Sequence, residues 1–180
     1  MPEDVYVPRL TSKGMRGNPY WYSRNPFYQA GYGLPNCTCY AWGRFWEVAD
    51  AAHDYSNRPN LSTGNAEDWW GHTSDGYERG QEPALGAIAC YRDGNFSGDG
   101  HVCVVEEIDT VNNRCLVSES AYNGYYFRAT HYISMNGNYG YGGYVFQGFI
   151  YNPNGGGVPW WKKVWWYKKW LWKREEELIK

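Results

Sequence analysis

Charge of either sign is scarce in this chain of 180 residues, where 17 Lys/Arg and 19 Asp/Glu leave a formal net charge of −2. A nucleic-acid binder normally carries a strongly basic domain, so no nucleic-acid partner is expected. Long apolar runs are also missing, because Pro, Gly and charged residues interrupt each one well short of the roughly 18 residues that a bilayer crossing needs. The opening Met1-Pro-Glu-Asp-Val-Tyr-Val-Pro is acidic and lacks the apolar stretch of a secretory signal, so no signal peptide is expected. The cysteines, at 37, 39, 90, 103 and 115, form neither a CxxC pair nor a Cys/His metal spacing, which argues against zinc. Their odd number leaves at least one thiol free or intermolecular.

What is abundant is aromatic: 11 Trp, 18 Tyr and 6 Phe make up 19% of the chain. Such content suits a half-buried, extended fold or a groove that stacks flat ligands and sugar rings. The length allows one domain with a real core. The charge is unevenly spread: residues 160–180 carry seven Lys/Arg and three Glu, whereas residues 1–159 are acidic at −6.

Residues 1–35 are rich in Pro, Gly, Asn and Tyr without a sustained period and read as an irregular arm over the core. A helix is expected from Cys37 to Ala49, with Asn36 as its N-cap and apolar residues on most sides. A short second helix is expected at 65–70, again capped by an Asn. After Pro83 come short β-type runs at 87–91, 101–108, 114–118, 125–134 and 144–151, separated by Gly, Asn and Asp. Helices followed by an antiparallel meander make an α+β domain. The expected organisation is a domain over 1–152, a Gly/Pro linker over 153–159 and a Trp/Lys-rich tail over 160–180. On a helical wheel that tail shows no clean apolar stripe. It reads as a membrane or anionic-polymer contact, as a helix packed on its own domain or a partner, or as a truncated linker.

Cys37 is the most informative position. The first residue after an N-cap sits where unpaired amides and the positive helix end stabilise a thiolate and could hold an oxyanion. A nucleophile also needs a base, and His101 heads the strong strand His-Val-Cys-Val-Val-Glu-Glu-Ile at a loop junction where a substrate has room. His53 and His72 lie in polar loops and are expected to be solvated. Glu119 could orient the imidazole. If the connection at 109–113 centres on Val111, His101 stands opposite Ala121 and Cys103 opposite Glu119, which sets His101 and Glu119 diagonally on one face. A two-residue turn at Asn112-Asn113 would instead place Glu119 opposite Glu106.

Five segments in order, Asn36-Cys-Thr-Cys-Tyr-Ala-Trp-Gly-Arg44, Gly64-Asn-Ala-Glu-Asp-Trp69, Pro83-Ala-Leu-Gly-Ala-Ile-Ala-Cys-Tyr91, Gly100-His-Val-Cys-Val-Val-Glu106 and Ser118-Glu-Ser-Ala-Tyr-Asn123, resemble the CHAP domain. The resemblance covers about residues 18–152. It implies a papain-like α+β fold with N-terminal helices on an antiparallel sheet. The implied roles are nucleophile for Cys37, base for His101 and third member for Glu119. Many members carry an Asn two residues after that Glu; here Ala121 stands there, and Asn123 is the candidate polar helper. Substrate contacts are expected from Asn36, Tyr40, Trp69 and Tyr122, which lie in the matching motifs. Cys39, Cys90 and Cys103 take positions that are commonly apolar, which implies a core role. Some members bind calcium through an acidic loop before the nucleophile; residues 14–36 contain no Asp or Glu, so neither metal nor cofactor is expected.

The function implied is that of a phage endolysin-like peptidoglycan hydrolase, cleaving either the muramoyl–L-alanine amide or a peptide bond of the stem or cross-bridge. The expected partner is peptidoglycan. A monomer is expected, held in the host cytoplasm before lysis and acting at the wall. Two readings from other classes compete. One is a non-catalytic wall-binding module with an aromatic groove, and the other is a carrier for a membrane-active Trp/Lys tail.

Overall fold

The computed structural model describes residues 6–95, 99–136 and 139–155. The chain enters through turns, makes one helical turn, α1 (Pro26–Gln29), and then the long helix α2 (Cys37–Ala49). Two 3-10 turns follow at Ala66–Asp68 and Thr73–Asp75. The strands are β1 (Arg79–Gly80), β2 (Ile88–Arg92), β3 (His101–Asp109), β4 (Arg114–Glu119), β5 (Arg128–Ser134) and β6 (Val145–Ile150). They form a six-stranded sheet in the order β1-β6-β2-β3-β4-β5 with every neighbour antiparallel. This is the α+β, papain-like arrangement that the sequence implied.

Helix α2 has the bounds expected of it. The Asn36 side chain accepts hydrogen bonds from the Thr38 and Cys39 amides, which supplies partners that a helix start otherwise lacks. Ten of its 13 residues are buried, so packing rather than propensity holds it. The segment at 65–70 shortens to a 3-10 turn, and Asn65 makes no side-chain cap bond there. β5 starts at Arg128 rather than 125 because Ala121 and Tyr125 close a turn by the Ala121 N–H to Tyr125 carbonyl bond. α1 and β1 were not expected from sequence; both are too short to show a period.

Alternation along the strands sorts the core into two layers. Ile88, Cys90, Val102, Val104 and Ile150 face α2 and the aromatic cluster of Trp21, Trp42, Trp46 and Trp69. Ala89, Tyr91, Cys103, Val105, Val117 and Phe149 fill the other side. The arm before α2 belongs to the first layer: Met15, Tyr20, Trp21 and Phe27 are buried, and the Trp21 indole donates to the Tyr40 carbonyl. A Cβ added at Gly43 would meet the Trp21 ring at 2.5 Å and the Tyr20 carbonyl at 2.7 Å. Free of that contact, Gly43→Ala would stabilise a mid-helix position by about 1 kcal/mol. With it, overpacking decides the sign, and urea unfolding should show a net loss of about 1–3 kcal/mol.

Beneath α2 lies a buried polar knot. Arg44 donates to both Glu106 carboxylate oxygens at 2.9 Å and to Glu47 Oε2 at 2.7 Å. Glu106 also accepts from the Tyr6 hydroxyl, the Arg9 amide and the Ser118 hydroxyl. Arg9 pairs with Glu47, so the start of the chain is tied across α2 and β3.

The register between β3 and β4 decides the site. Val104 stands opposite Ser118 and Val105 opposite Val117, which is the arrangement centred on Val111. A bulge between Val105 and Glu107 shifts the rest by one residue, so Ile108 meets Cys115. At the His101 end the pairing therefore sets Glu119 on the face of His101. The proposed domain division is not tested by the fold, and the linker from 156 onward and the 160–180 tail lie outside the described residues.

Candidate active site

The start of α2, the head of β3 and the end of β4 converge on a groove of about 860 Å³. Its walls include Phe27 and Tyr32 on one side of the chain path, Gly64–Ala66 and Asp99–His101 on another, and Ala121, Tyr122 and Tyr144. Cys37 lies in this groove and is the only one of the five free thiols that is not buried. Burial pushes the Cys39 thiol up to about 12 and the Cys115 thiol up to about 12, and it raises Cys90 and Cys103 as well. Those four are core residues, as the sequence implied for Cys39, Cys90 and Cys103. A second hollow, of about 730 Å³ under residues 6–14, contains Arg9, Arg44 and Glu47 already engaged with one another and no thiol.

The helix start is held in place from the sheet side. The Asn36 amide donates to the Ser120 hydroxyl at 3.0 Å, and that hydroxyl donates to the Tyr125 carbonyl. Ser120 follows Glu119 directly, so one hydrogen bond ties the helix that begins at Cys37 to the strand that carries the carboxylate. His101 Nε2 lies 2.7 Å from Glu119 Oε2. With Nε2 engaged by Glu119, Nδ1 is the ring nitrogen left for a partner in the groove that Cys37 also lines. Burial alone would lower the imidazole, but the hydrogen bonds with Cys37 and Glu119 and the charges of both outweigh it and raise His101 to about 9. Burial alone would raise Glu119; the His101 partner, with the donors Tyr141 and Arg128, pulls it down to about 2. An imidazolium beside an ionised carboxylate, in a groove that also holds a half-buried thiol, is an arrangement that can pair a cysteine nucleophile with its acid.

The other expected site residues divide. Asn36 lines the groove beside Cys37, and Tyr122 stands at its rim with 64% of its surface exposed. Tyr40 and Trp69 do not line it. Tyr40 is 0% exposed and donates its hydroxyl to Ser118, while Trp69 is 0% exposed and donates its indole N–H to the Gly64 carbonyl. Both are core aromatics, because α2 and the 3-10 turn present these positions to the sheet and to Phe27 rather than to the groove. Asn123 occupies a turn with φ of 53°, exposed to solvent, and makes no hydrogen bond to His101 or Glu119. Its expected role as helper is therefore corrected.

The groups that do surround Glu119 were missed. Arg128 and His131 come from β5, and Tyr141 comes from the loop before β6. Tyr144 lies in the groove, its ring 6.0 Å from that of His101. The run Tyr139-Gly-Tyr-Gly-Gly-Tyr144 was the only signal for the last two, and it carries no spacing tied to His101. Among the described residues no cluster of three or more His, Cys, Asp or Glu could hold a metal ion.

Comparison with known protein families gives a match to the model of the CHAP domain over residues 27–121. The matched stretch runs from α1 past the end of β4 and contains Cys37, His101 and Glu119.

Proposed function

The chain belongs to the CHAP domain family, whose members are cysteine, histidine-dependent amidohydrolases and peptidases of peptidoglycan, and from that premise we propose that Cys37, His101 and Glu119 hydrolyse an amide bond of the bacterial cell wall. The observation that carries the reading is one groove lined both by the one thiol that is not buried and by an imidazole whose Nε2 is 2.7 Å from a buried carboxylate.

The Cys37 thiolate attacks the amide carbonyl and forms a C–S bond. Several amides at the helix start were expected to hold the resulting oxyanion, but Asn36 Oδ1 already accepts the N–H groups of Thr38 and Cys39. The donors that remain are the Cys37 N–H and Asn36 Nδ2, whose carboxamide is fixed by the same capping bonds. His101 then protonates the leaving nitrogen as the C–N bond breaks. In the second half His101 takes a proton from water, whose oxygen displaces the sulfur and frees the acid product. Glu119 keeps the imidazole in one orientation and steadies its positive charge.

The amide cut is either muramoyl–L-alanine or a peptide bond of the stem or cross-bridge. Mass spectrometry of fragments released from lipid-free sacculi distinguishes the two, because the first frees muramic acid of L-alanine and the second exposes a new peptide terminus. New reducing sugar ends without a new amine would overturn the reading. An endolysin role, with monomeric enzyme held in the host cytoplasm until it reaches the wall, belongs to the same proposal and is supported by the wall substrate.

The pH dependence follows from His101. The step that expels the amine needs the imidazolium, which persists up to about 9. We expect kcat/KM to fall about tenfold per pH unit above that point, as loss of a single proton dictates. Folding stability has the matching sign. The His101 contribution is complete below its ordinary value of 6.5 and is lost as pH rises through about 9. The Glu119 contribution is present above its ordinary 4.5 and is lost as pH falls through about 2.

A further inference from the structure

We propose that Tyr141 and Arg128 are positioning residues that share the Glu119 carboxylate with His101 and so set how strongly the imidazolium is held. The inference rests on the hydrolase reading above. Glu119 is 0% exposed, and both of its oxygens are occupied. Oε2 lies 2.7 Å from His101 Nε2 and accepts the Tyr141 hydroxyl at 2.5 Å. Oε1 accepts Arg128 Nε at 2.9 Å and Nη2 at 2.6 Å, and His131 Nδ1 lies 3.4 Å away. Arg128 Nη2 also donates to the Tyr141 oxygen at 3.1 Å, so the two donors are linked. The Tyr141 ring packs on His101 at 4.6 Å and on His131 at 4.5 Å between centroids.

The chemistry follows from the number of donors. A buried carboxylate facing only an imidazolium would bind it so tightly that the imidazolium became a poor acid toward a leaving amine. A carboxylate whose charge is drawn off by a guanidinium and a phenol exerts a weaker pull. The Tyr141 hydroxyl competes with His101 at the same oxygen, and Arg128 neutralises the other oxygen. The titratable groups around this pair are Arg128 and His131 from β5, Tyr125, Tyr141 and Tyr144 from the loops, and Cys37 at the start of α2 in the groove that His101 lines. Ala121, two residues after Glu119, has no polar side chain that could do the same work.

The test uses the full chain with nitrogen-15 label in its four histidines. His101 is titrated by NMR in wild type, Tyr141→Phe, Arg128→Met and Arg128→Lys, alongside kcat and KM on solubilised peptidoglycan. Tyr141→Phe keeps the ring stacked and removes only the hydroxyl. In Tyr141→Phe and Arg128→Met we expect His101 to hold its proton to higher pH than in wild type. We expect kcat at neutral pH to drop about tenfold with KM little changed, the size of one hydrogen bond to a charged group. Arg128→Lys restores a cation beside Glu119 and should move the titration back toward wild type. A His101 titration unchanged or lowered in both Tyr141→Phe and Arg128→Met, with wild type active, overturns the inference. A titration raised as expected in a wild type background that releases no peptidoglycan fragment supports the shared carboxylate and overturns the hydrolase reading instead.

Discussion

Glu119→Gln is expected to lower kcat by roughly 10³–10⁴-fold, the scale seen when the carboxylate of a catalytic triad becomes an amide. The side chain hardly changes in size, so packing is retained. Its charge is lost, however, and an amide in this place can turn its NH2 group toward His101 and stabilise the wrong tautomer. Two of the influences that hold His101 at about 9 disappear with the carboxylate, so its titration should fall toward the ordinary 6.5. Arg128 keeps an oxygen acceptor in the place of Oε1 and loses only the negative charge opposite it, and its side chain, 37% exposed, can be solvated by water. Kinetics on solubilised peptidoglycan, with the His101 titration from NMR, check both parts. A variant with near wild-type kcat would remove Glu119 from the mechanism.

Glu106→Ala should be strongly destabilising, costing about 3–5 kcal/mol, because it breaks a buried ion pair and leaves Arg44 with only Glu47, a carboxylate that Arg9 already engages. Glu106 is 1% exposed and accepts from Arg44, Tyr6, the Arg9 amide and Ser118. The loss is larger than that of Gly43→Ala because several donors are orphaned at once. Urea unfolding monitored by tryptophan fluorescence measures it. Removing both charges, as Glu106→Leu with Arg44→Met, should cost less than the single change, since the desolvation of Arg44 is removed with its partner. Equal or greater loss in the double variant would mean that the pair stabilises the fold in its own right.

Much of this architecture was legible because it is local. Asn36 before an apolar run fixed both ends of α2, and the same cap marked Cys37 as a residue at a positive helix end. The strand beginning at His101 was legible from β-branched residues following a Gly/Asp loop. The relation of His101 to Glu119 was legible only as two alternatives. The bulge at Glu106 that reconciles the turn with the register leaves no mark in Glu106-Glu107, which reads as ordinary strand. Tyr40 and Trp69 misled because an aromatic ring suits a ligand groove and a helix–sheet core equally well, and only the direction in which the element faces decides. Arg128 and Tyr141 reach Glu119 through the β4–β5 pairing and a loop 22 residues away in sequence, contacts that no local pattern encodes.

The central claim, that Cys37 is the nucleophile of a peptidoglycan hydrolase, is tested most directly by digesting purified, lipid-free Gram-positive sacculi with wild type and Cys37→Ala in parallel. Cys37 is only partly buried at the edge of the core, and removal of its sulfur takes away a single atom there, so the variant should fold. The account predicts loss of turbidity and release of fragments with wild type, and a rate lower by on the order of 10³-fold or more with Cys37→Ala. Equal clearing by both proteins would contradict it, because the lytic activity would then belong to the aromatic groove or the Trp/Lys tail and not to the cysteine.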